Sequence, residues 1–249
     1  MITPLILLHG YGEDAKVWDT IKAAFWPATN VLTPSYASRS DLKTIDEYAE
    51  AVYKDLRSQG VERGVVIGHS MGGYIALALA EKHPEFIEGL GLFHSTAYAD
   101  TEEKKANRDK NVAAIKEKGP AGFLQGFVKN MYSDAFAENN PGVLEEHITH
   151  VSQLPPEALI AGMQAMKDRP DRRQVLEKAT YPVLFIIGMK DKAVKPEEAM
   201  EQVQLTPNSS QLILEKAGHM GMTEEPDDCL EIIQSFWQRV EREASLKEI

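Results

Sequence analysis

Short, almost wholly apolar runs alternate along the chain with stretches whose apolar residues recur at helical spacing. The runs cover residues 2–8, 30–33, 65–67, 90–93, 183–187 and 211–214. They are rich in Val, Ile and Leu and show little apolar/polar alternation, the pattern of strands buried on both faces of a parallel sheet. Between them, residues 44–58 carry Ile45, Tyr48, Ala49, Val52 and Leu56 on one helical face. Thr44 and Glu47 have the spacing of a capping box, and Gly60 offers a stop. A second, apolar helix is predicted over 74–82, ended by Pro84. A third is predicted over 228–240, where Leu230, Ile233, Phe236, Trp237 and Val240 share a face. Strand–helix alternation of this kind predicts an α/β fold.

The alternation breaks between about residues 96 and 180. That stretch has no good strand, and its helical patterns are separated by Gly119-Pro120, Pro141 and Pro155-Pro156. The expected organisation is a core of residues 1–95 and 181–249 with a helical cap inserted over 96–180. Charge separates the two parts as well. The insertion nearly balances, with 12 basic residues against 13 acidic, whereas the whole chain has 27 basic against 38 acidic and a net charge of −11.

That acidic balance argues against a nucleic-acid partner or an anionic membrane surface, each of which would want a basic face. No segment is long and apolar enough to span a bilayer, so no membrane partner is expected. The opening apolar run is too short for a secretory signal and lacks a basic region before it. One cysteine, Cys229, leaves no internal disulfide framework or multi-cysteine metal site. A reducing cytoplasm is the expected compartment.

The chemistry concentrates at three predicted strand ends. Gly68-His69-Ser70-Met71-Gly72 lies between a strand and a helix, the context of a nucleophile elbow. A serine on so tight a turn is strained, and the residues two before and two after it must be small. Ser70 also sits at a helix N-terminus, where free N–H groups favour developing negative charge. The last strand leads to Ala217-Gly218-His219, a histidine placed to reach across the sheet as a base. The strand before it leads to Gly188-Met189-Lys190-Asp191, an acid placed to orient that imidazole. An oxyanion needs two N–H donors. Met71, just after the serine, and Tyr11, in the His9-Gly10-Tyr11-Gly12 loop, are the candidates.

With these residues the chain resembles the α/β-hydrolase-fold serine hydrolases that carry a cap, along nearly its whole length. The resemblance implies an α/β-hydrolase fold, a mostly parallel sheet of about six strands flanked by helices, with Ser70 as nucleophile, His219 as base and Asp191 as acid. Tyr11 and Met71 match the oxyanion positions. Two departures stand out. Only eight residues precede His9, so the family's N-terminal strand pair is expected to be absent. The loop 34–40 lacks the Asp-x-x-Gly-x-Gly pattern of many relatives.

The expected activity is hydrolysis of small or medium carboxylic esters through an acyl-enzyme, with no metal or organic cofactor and a small-molecule ester as partner. Trp18, Tyr74, Phe123, Phe127, Met131, Met189 and Met220 are the expected pocket residues, giving a mainly apolar site. Carbon–carbon bond hydrolysis or cofactor-free perhydrolysis with the same residues is an alternative within enzymes, and a ligand-binding receptor is one outside them. His147 and His150, three apart, are read as solvated rather than as half a metal site. His69 and His94 are read as structural or pocket-lining, and Asp100 as a second-choice acid.

Overall fold

The computed structural model describes residues 2–25 and 30–247. Six strands form one sheet: Leu5–Leu8 (β1), Val31–Leu32 (β2), Gly64–His69 (β3), Ile87–Phe93 (β4), Val183–Gly188 (β5) and Ser209–Leu214 (β6). Their order is β2-β1-β3-β4-β5-β6, and every pair is parallel. β1, β3 and β5 are buried along their full length, as continuous apolar runs require. β6 departs from that expectation. It is an edge strand, paired on one side only with β5, and its residues alternate between more and less exposed, with only Leu214 buried. Among the described residues there is no further strand before β1.

Eleven α-helices are described. They are Asp19–Phe25 (α1), Ile45–Ser58 (α2), Met71–Lys82 (α3), Glu102–Met131 (α4), Asp134–Asn139 (α5), Pro141–Val151 (α6), Pro156–Lys167 (α7), Arg173–Glu177 (α8), Pro196–Val203 (α9), Gly221–Glu224 (α10) and Pro226–Lys247 (α11). α2 begins with the expected capping box, both Thr44 and Glu47 contributing, worth about 1 kcal/mol. α3 buries every residue from Met71 to Ala80, which explains why it is apolar all round. α4 bends at Gly119, whose φ of 69° is open to glycine, followed by Pro120. No helix of the described residues is long and apolar enough to cross a membrane.

α11 closes the far side of the sheet. Trp237 donates from Nε1 to the Thr3 carbonyl at 2.9 Å and meets Phe25 edge-on. Phe236 and Val240 lie against Gly89 of β4, where a Cβ would stand 2.8 Å from Val240. Each such fully buried side chain stabilises the fold by roughly 1.5–3 kcal/mol.

The helices α4–α8 all lie between β4 and β5 in the chain, and α4 and α7 pack against the loop after β1 and the start of α3. Tyr11 donates from its hydroxyl to the Leu159 carbonyl on α7 at 3.0 Å. A buried ionic cluster fixes the base of this helical segment. Asp100 accepts from Arg108 on α4 and, at 2.6 Å, from Arg169, whose guanidinium also stacks 3.9 Å above the Tyr74 ring on α3. Arg172 ties the same region to Glu81 at 2.9 Å and Asp46 at 2.8 Å.

Candidate active site

The strand order reverses between β1 and β3, and in open α/β sheets that switch point is where a crevice forms. Ser70 occupies the turn from β3 into α3 with φ 52° and ψ −116°. A non-glycine residue there costs on the order of 1–3 kcal/mol, and surrounding contacts must hold it. Ser70 N–H donates to the Phe93 carbonyl at 2.9 Å, and its carbonyl accepts from Ser95 Oγ at 2.8 Å and Gly73 N–H at 2.9 Å. The glycines are needed for close approach. A Cβ on Gly68 would run into the Gly72 carbonyl, and one on Gly72 into the Leu8 carbonyl. Among the described residues the hydrogen bonds of Ser70 all use its backbone, which leaves Oγ uncommitted on a half-buried residue.

His219, in the loop after β6, and Asp191, in the loop after β5, are both buried. His219 Nδ1 lies 2.7 Å from Asp191 Oδ2. The other carboxylate oxygen accepts from the Ala193 and Val194 N–H groups at 2.7 and 3.0 Å. Burial alone would lower the pKa of His219. The adjoining Asp191 carboxylate outweighs it, so the imidazole holds its proton above the ordinary histidine value. Burial likewise opposes ionisation of Asp191, but the His219 charge and hydrogen bonds keep its carboxyl below the usual range. The His219 N–H donates to the Met131 carbonyl at 2.6 Å, which fixes the loop from the far end of α4.

His94 approaches the same carboxylate oxygen, with its Nδ1 3.9 Å from Oδ2 and its ring 5.8 Å from that of His219. Its Nε2 accepts from the Gly221 N–H at 3.1 Å, so the ring's proton is on Nδ1, facing the carboxylate. Burial pushes its pKa well down, and it is neutral. Asp100, the second-choice acid, spends its carboxylate on Arg108 and Arg169, and its residues do not include a histidine.

The loop after β1 is held with its carbonyls occupied. His9 donates from Nδ1 to the Gly10 carbonyl at 2.8 Å, and Tyr36 donates from its hydroxyl to the His9 carbonyl at 2.5 Å. The two rings stack at 3.9 Å. The Gly10 N–H is taken by Glu13 at 2.9 Å. The Tyr11 N–H and the Met71 N–H, at the start of α3, have no partner among the described residues.

The expected pocket residues scatter. Trp18 is fully buried, edge-on to His69 and Phe93, because the turn after β1 folds it into the core. Tyr74 is covered by Arg169. Phe123 and Phe127 pack on each other, and Phe127 on Tyr11, fastening α4 to the β1 loop. Met131 is buried and contributes its carbonyl to His219, and Met189 is half-buried. Of the seven, Met220 lines a cleft of about 780 Å³ between the β1 loop and α6. Its walls are mainly apolar, with Glu13, Asp14, Tyr132, His147 and His150 adding polar groups. His147 Nδ1 is bonded to the Tyr132 hydroxyl at 2.9 Å and His150 Nε2 to Asp14 at 2.7 Å, so each histidine has its own partner. No group of three or more metal-ligating side chains is found among the described residues.

Sequence reading missed Glu13. Its side chain is 1% exposed, and Oε2 lies 3.0 Å from His69 Nδ1. Burial alone would raise its pKa, but the His69 ring holds the carboxyl down at about 2. An acid inside an otherwise glycine-rich loop was the available signal.

With this geometry in view, comparison with known proteins is direct. The model of the alpha/beta hydrolase family matches residues 5–232. The chain belongs to that family. It is 28% identical over 246 residues to a pimeloyl-[acyl-carrier protein] methyl ester esterase of Aromatoleum aromaticum, covering 92% of this chain and 96% of the relative. Among solved structures, a thermophilic esterase from Thermogutta terrifontis matches with a TM-score of 0.89 and 26% identity, over 96% of this chain and 90% of that one. The enol-lactonase from Burkholderia xenovorans shares the fold, with a TM-score of 0.84 at 20% identity, over 96% and 92% of the two chains. The hydrolase is, on these likenesses, a carboxylic-ester hydrolase.

Proposed function

We propose that the hydrolase cleaves small or medium carboxylic esters through Ser70, His219 and Asp191, by way of an acyl-enzyme. The observation that carries this is the buried 2.7 Å contact between His219 and Asp191, together with a strained serine at the end of β3 whose hydroxyl is uncommitted. Asp191 takes Nδ1–H, so Nε2 is the nitrogen that acts as base. Ser70 Oγ attacks the ester carbon while its proton passes to His219 Nε2. The carbonyl π pair moves onto oxygen, where the Tyr11 and Met71 N–H groups receive it. Collapse breaks the bond to the alkoxy oxygen, which leaves as the alcohol with the His219 proton. Water then gives a proton to His219 and attacks the acyl carbon. The acid departs and the proton returns to Ser70.

The helices α4–α8 act as a cap in this reading. The cleft beside Met220 takes one end of the substrate, and its mainly apolar walls with a few polar groups suit an apolar chain that carries a polar group at some distance from the reacting carbon. The Aromatoleum aromaticum relative acts, by its name, on a methyl ester, and a small alcohol as leaving group is therefore the first choice here.

Turnover of methyl esters and short p-nitrophenyl esters by wild type and Ser70→Ala tests the proposal. Wild type should turn over, and Ser70→Ala should lose at least about 10³-fold. A mass increase equal to the acyl group should fall on the peptide containing Ser70. Equal turnover by the two proteins would remove Ser70 as nucleophile. Ligand-induced stabilisation with no turnover by wild type would replace the enzyme reading with a receptor.

A further inference from the structure

Glu13 borders the cleft but takes no part in the bond changes proposed above, and it lies at the centre of a buried chain that joins three strand-end loops. Its Oε2 accepts from the Gly10 N–H at 2.9 Å and stands 3.0 Å from His69 Nδ1. His69 Nε2 in turn lies 2.8 Å from the carbonyl oxygen of His219. Glu13 belongs to the loop after β1, His69 ends β3 beside Ser70, and His219 follows β6. The His69 side chain is completely buried.

The hydrogen-bond roles can be assigned from the acceptors alone. A backbone carbonyl only accepts, so His69 Nε2 carries a proton. Glu13, whose carboxyl is held down at about 2, is ionised and can only accept, so facing it Nδ1 carries a proton as well. His69 is therefore an imidazolium matched to the Glu13 carboxylate. A neutral amide cannot replace that carboxylate. One atom must accept from Gly10 and from His69 together. If it is the amide oxygen, a neutral His69 protonated on Nδ1 turns a bare Nε2 toward the His219 carbonyl. If it is the amide nitrogen, Gly10 loses its acceptor. Either one of the three bonds breaks or His69 keeps its charge without a buried counter-ion.

We propose that Glu13 is a positioning residue for ester hydrolysis, holding through His69 both the loop that carries the catalytic base and the loop that carries the Tyr11 N–H. This rests on the reading of Ser70, His219 and Tyr11 above. The close packing agrees with it. A Cβ on Gly10 would lie 2.7 Å from His69 Nδ1 and 2.8 Å from Glu13 Oε2, so the loop residue at this point must be glycine for the pair to close. The His69 and His219 rings are 4.9 Å apart, centroid to centroid.

The test compares Glu13→Gln and Glu13→Asp with wild type and Ser70→Ala on one p-nitrophenyl ester. Loosening two reacting groups by about an ångström costs on the order of 10²-fold in rate. Glu13→Gln should lose about 10–100-fold in kcat with KM within threefold, and Glu13→Asp, which keeps the charge, should recover part of the loss. The acid limb of kcat/KM adds a readout that simple loss of packing would not move. His219 faces Asp191, His94, His69, Glu13 and Glu224. The Glu13 carboxylate helps to raise the His219 pKa, so in Glu13→Gln the limb should move to lower pH. If Glu13→Gln keeps wild-type kcat and the same limb while Ser70→Ala is inactive, this inference fails and the catalytic reading stands. If Ser70→Ala retains turnover, the catalytic reading fails first. Folding losses in the variants leave one measurement on the native protein. Nitrogen-15 NMR of histidine-labelled wild type should show both His69 ring nitrogens protonated at pH 7. A neutral His69 ring would overturn the proposal.

Discussion

Replacing Asp191 by Asn should change one proton and very little else. Asn is the same size, and the orientation of its amide is set by the two N–H groups on one side of it. Ala193 and Val194 donate there at 2.7 and 3.0 Å, whereas the other side meets one His219 nitrogen at 2.7 Å. Two bonds outweigh one, so the amide oxygen stays with Ala193 and Val194 and the NH₂ faces His219. Nδ1 must then accept, and the ring's proton moves to Nε2, the position from which it would have to receive the Ser70 proton. A histidine in that tautomer is no base. The same exchange in a serine protease triad costs about 10⁴-fold in kcat, or ~5.4 kcal/mol of transition-state stabilisation. We expect a loss of that order here. The assay is steady-state hydrolysis of p-nitrophenyl butyrate, with the melting temperature of both proteins measured as a control. The variant should keep its melting temperature within a few degrees, because the loop bonds to Ala193 and Val194 survive. A loss of less than tenfold in kcat, with the fold intact, would refute Asp191 as the orienting group.

Two further predictions concern pH and stability. Because Asp191 raises the His219 pKa, the neutral base is lost as pH falls, and kcat/KM should decline on the acid side with a midpoint above the ordinary histidine value of 6.5; a flat profile from pH 6 to 8 would contradict it. Asp100→Ala would strand Arg169, whose side chain is 3% exposed, and should destabilise the protein by about 3–5 kcal/mol. At this chain length that corresponds to a drop of roughly 6–20 °C in melting temperature, and a change under 3 °C would show that the cluster is solvated or able to rearrange.

The centre of the sheet was legible because β1, β3 and β5 are buried on both faces and so spell unbroken apolar runs, from Leu5–Leu8 to Val183–Gly188. The Ser70 turn was legible because its sterics demand glycines at fixed offsets, and the loops carrying Asp191 and His219 because each directly follows such a run. The short helices α1 and α9 were not foreseen, since they are only 7 and 8 residues long and show little more than two turns of pattern. The pocket was the weakest reading for a physical reason. An apolar side chain on the sequence shows that it wants burial but not against what, and Trp18 and Phe123 found partners in the core and in α4 instead of a cleft wall. Glu13 and His69 are 56 residues apart, and their pairing depends on how β1 and β3 sit side by side, which no local spacing encodes.

The junction at the end of α4 also bears on how this enzyme could be redesigned. The His219 N–H is bonded to Met131, the Ser133 N–H to Glu224 at 3.0 Å, and Glu224 also accepts from the Gly218 N–H at 2.9 Å. A Cβ on Gly218 would lie 2.6 Å from the Ser133 nitrogen. Residues 131–133 therefore work as part of the histidine loop's scaffold, although the chain places them inside the helical segment. A chimaera that borrows a relative's helices to alter substrate choice should leave these three residues native and splice on either side of them. Grafts that cross the junction would exchange the support of the histidine together with the specificity they were meant to import.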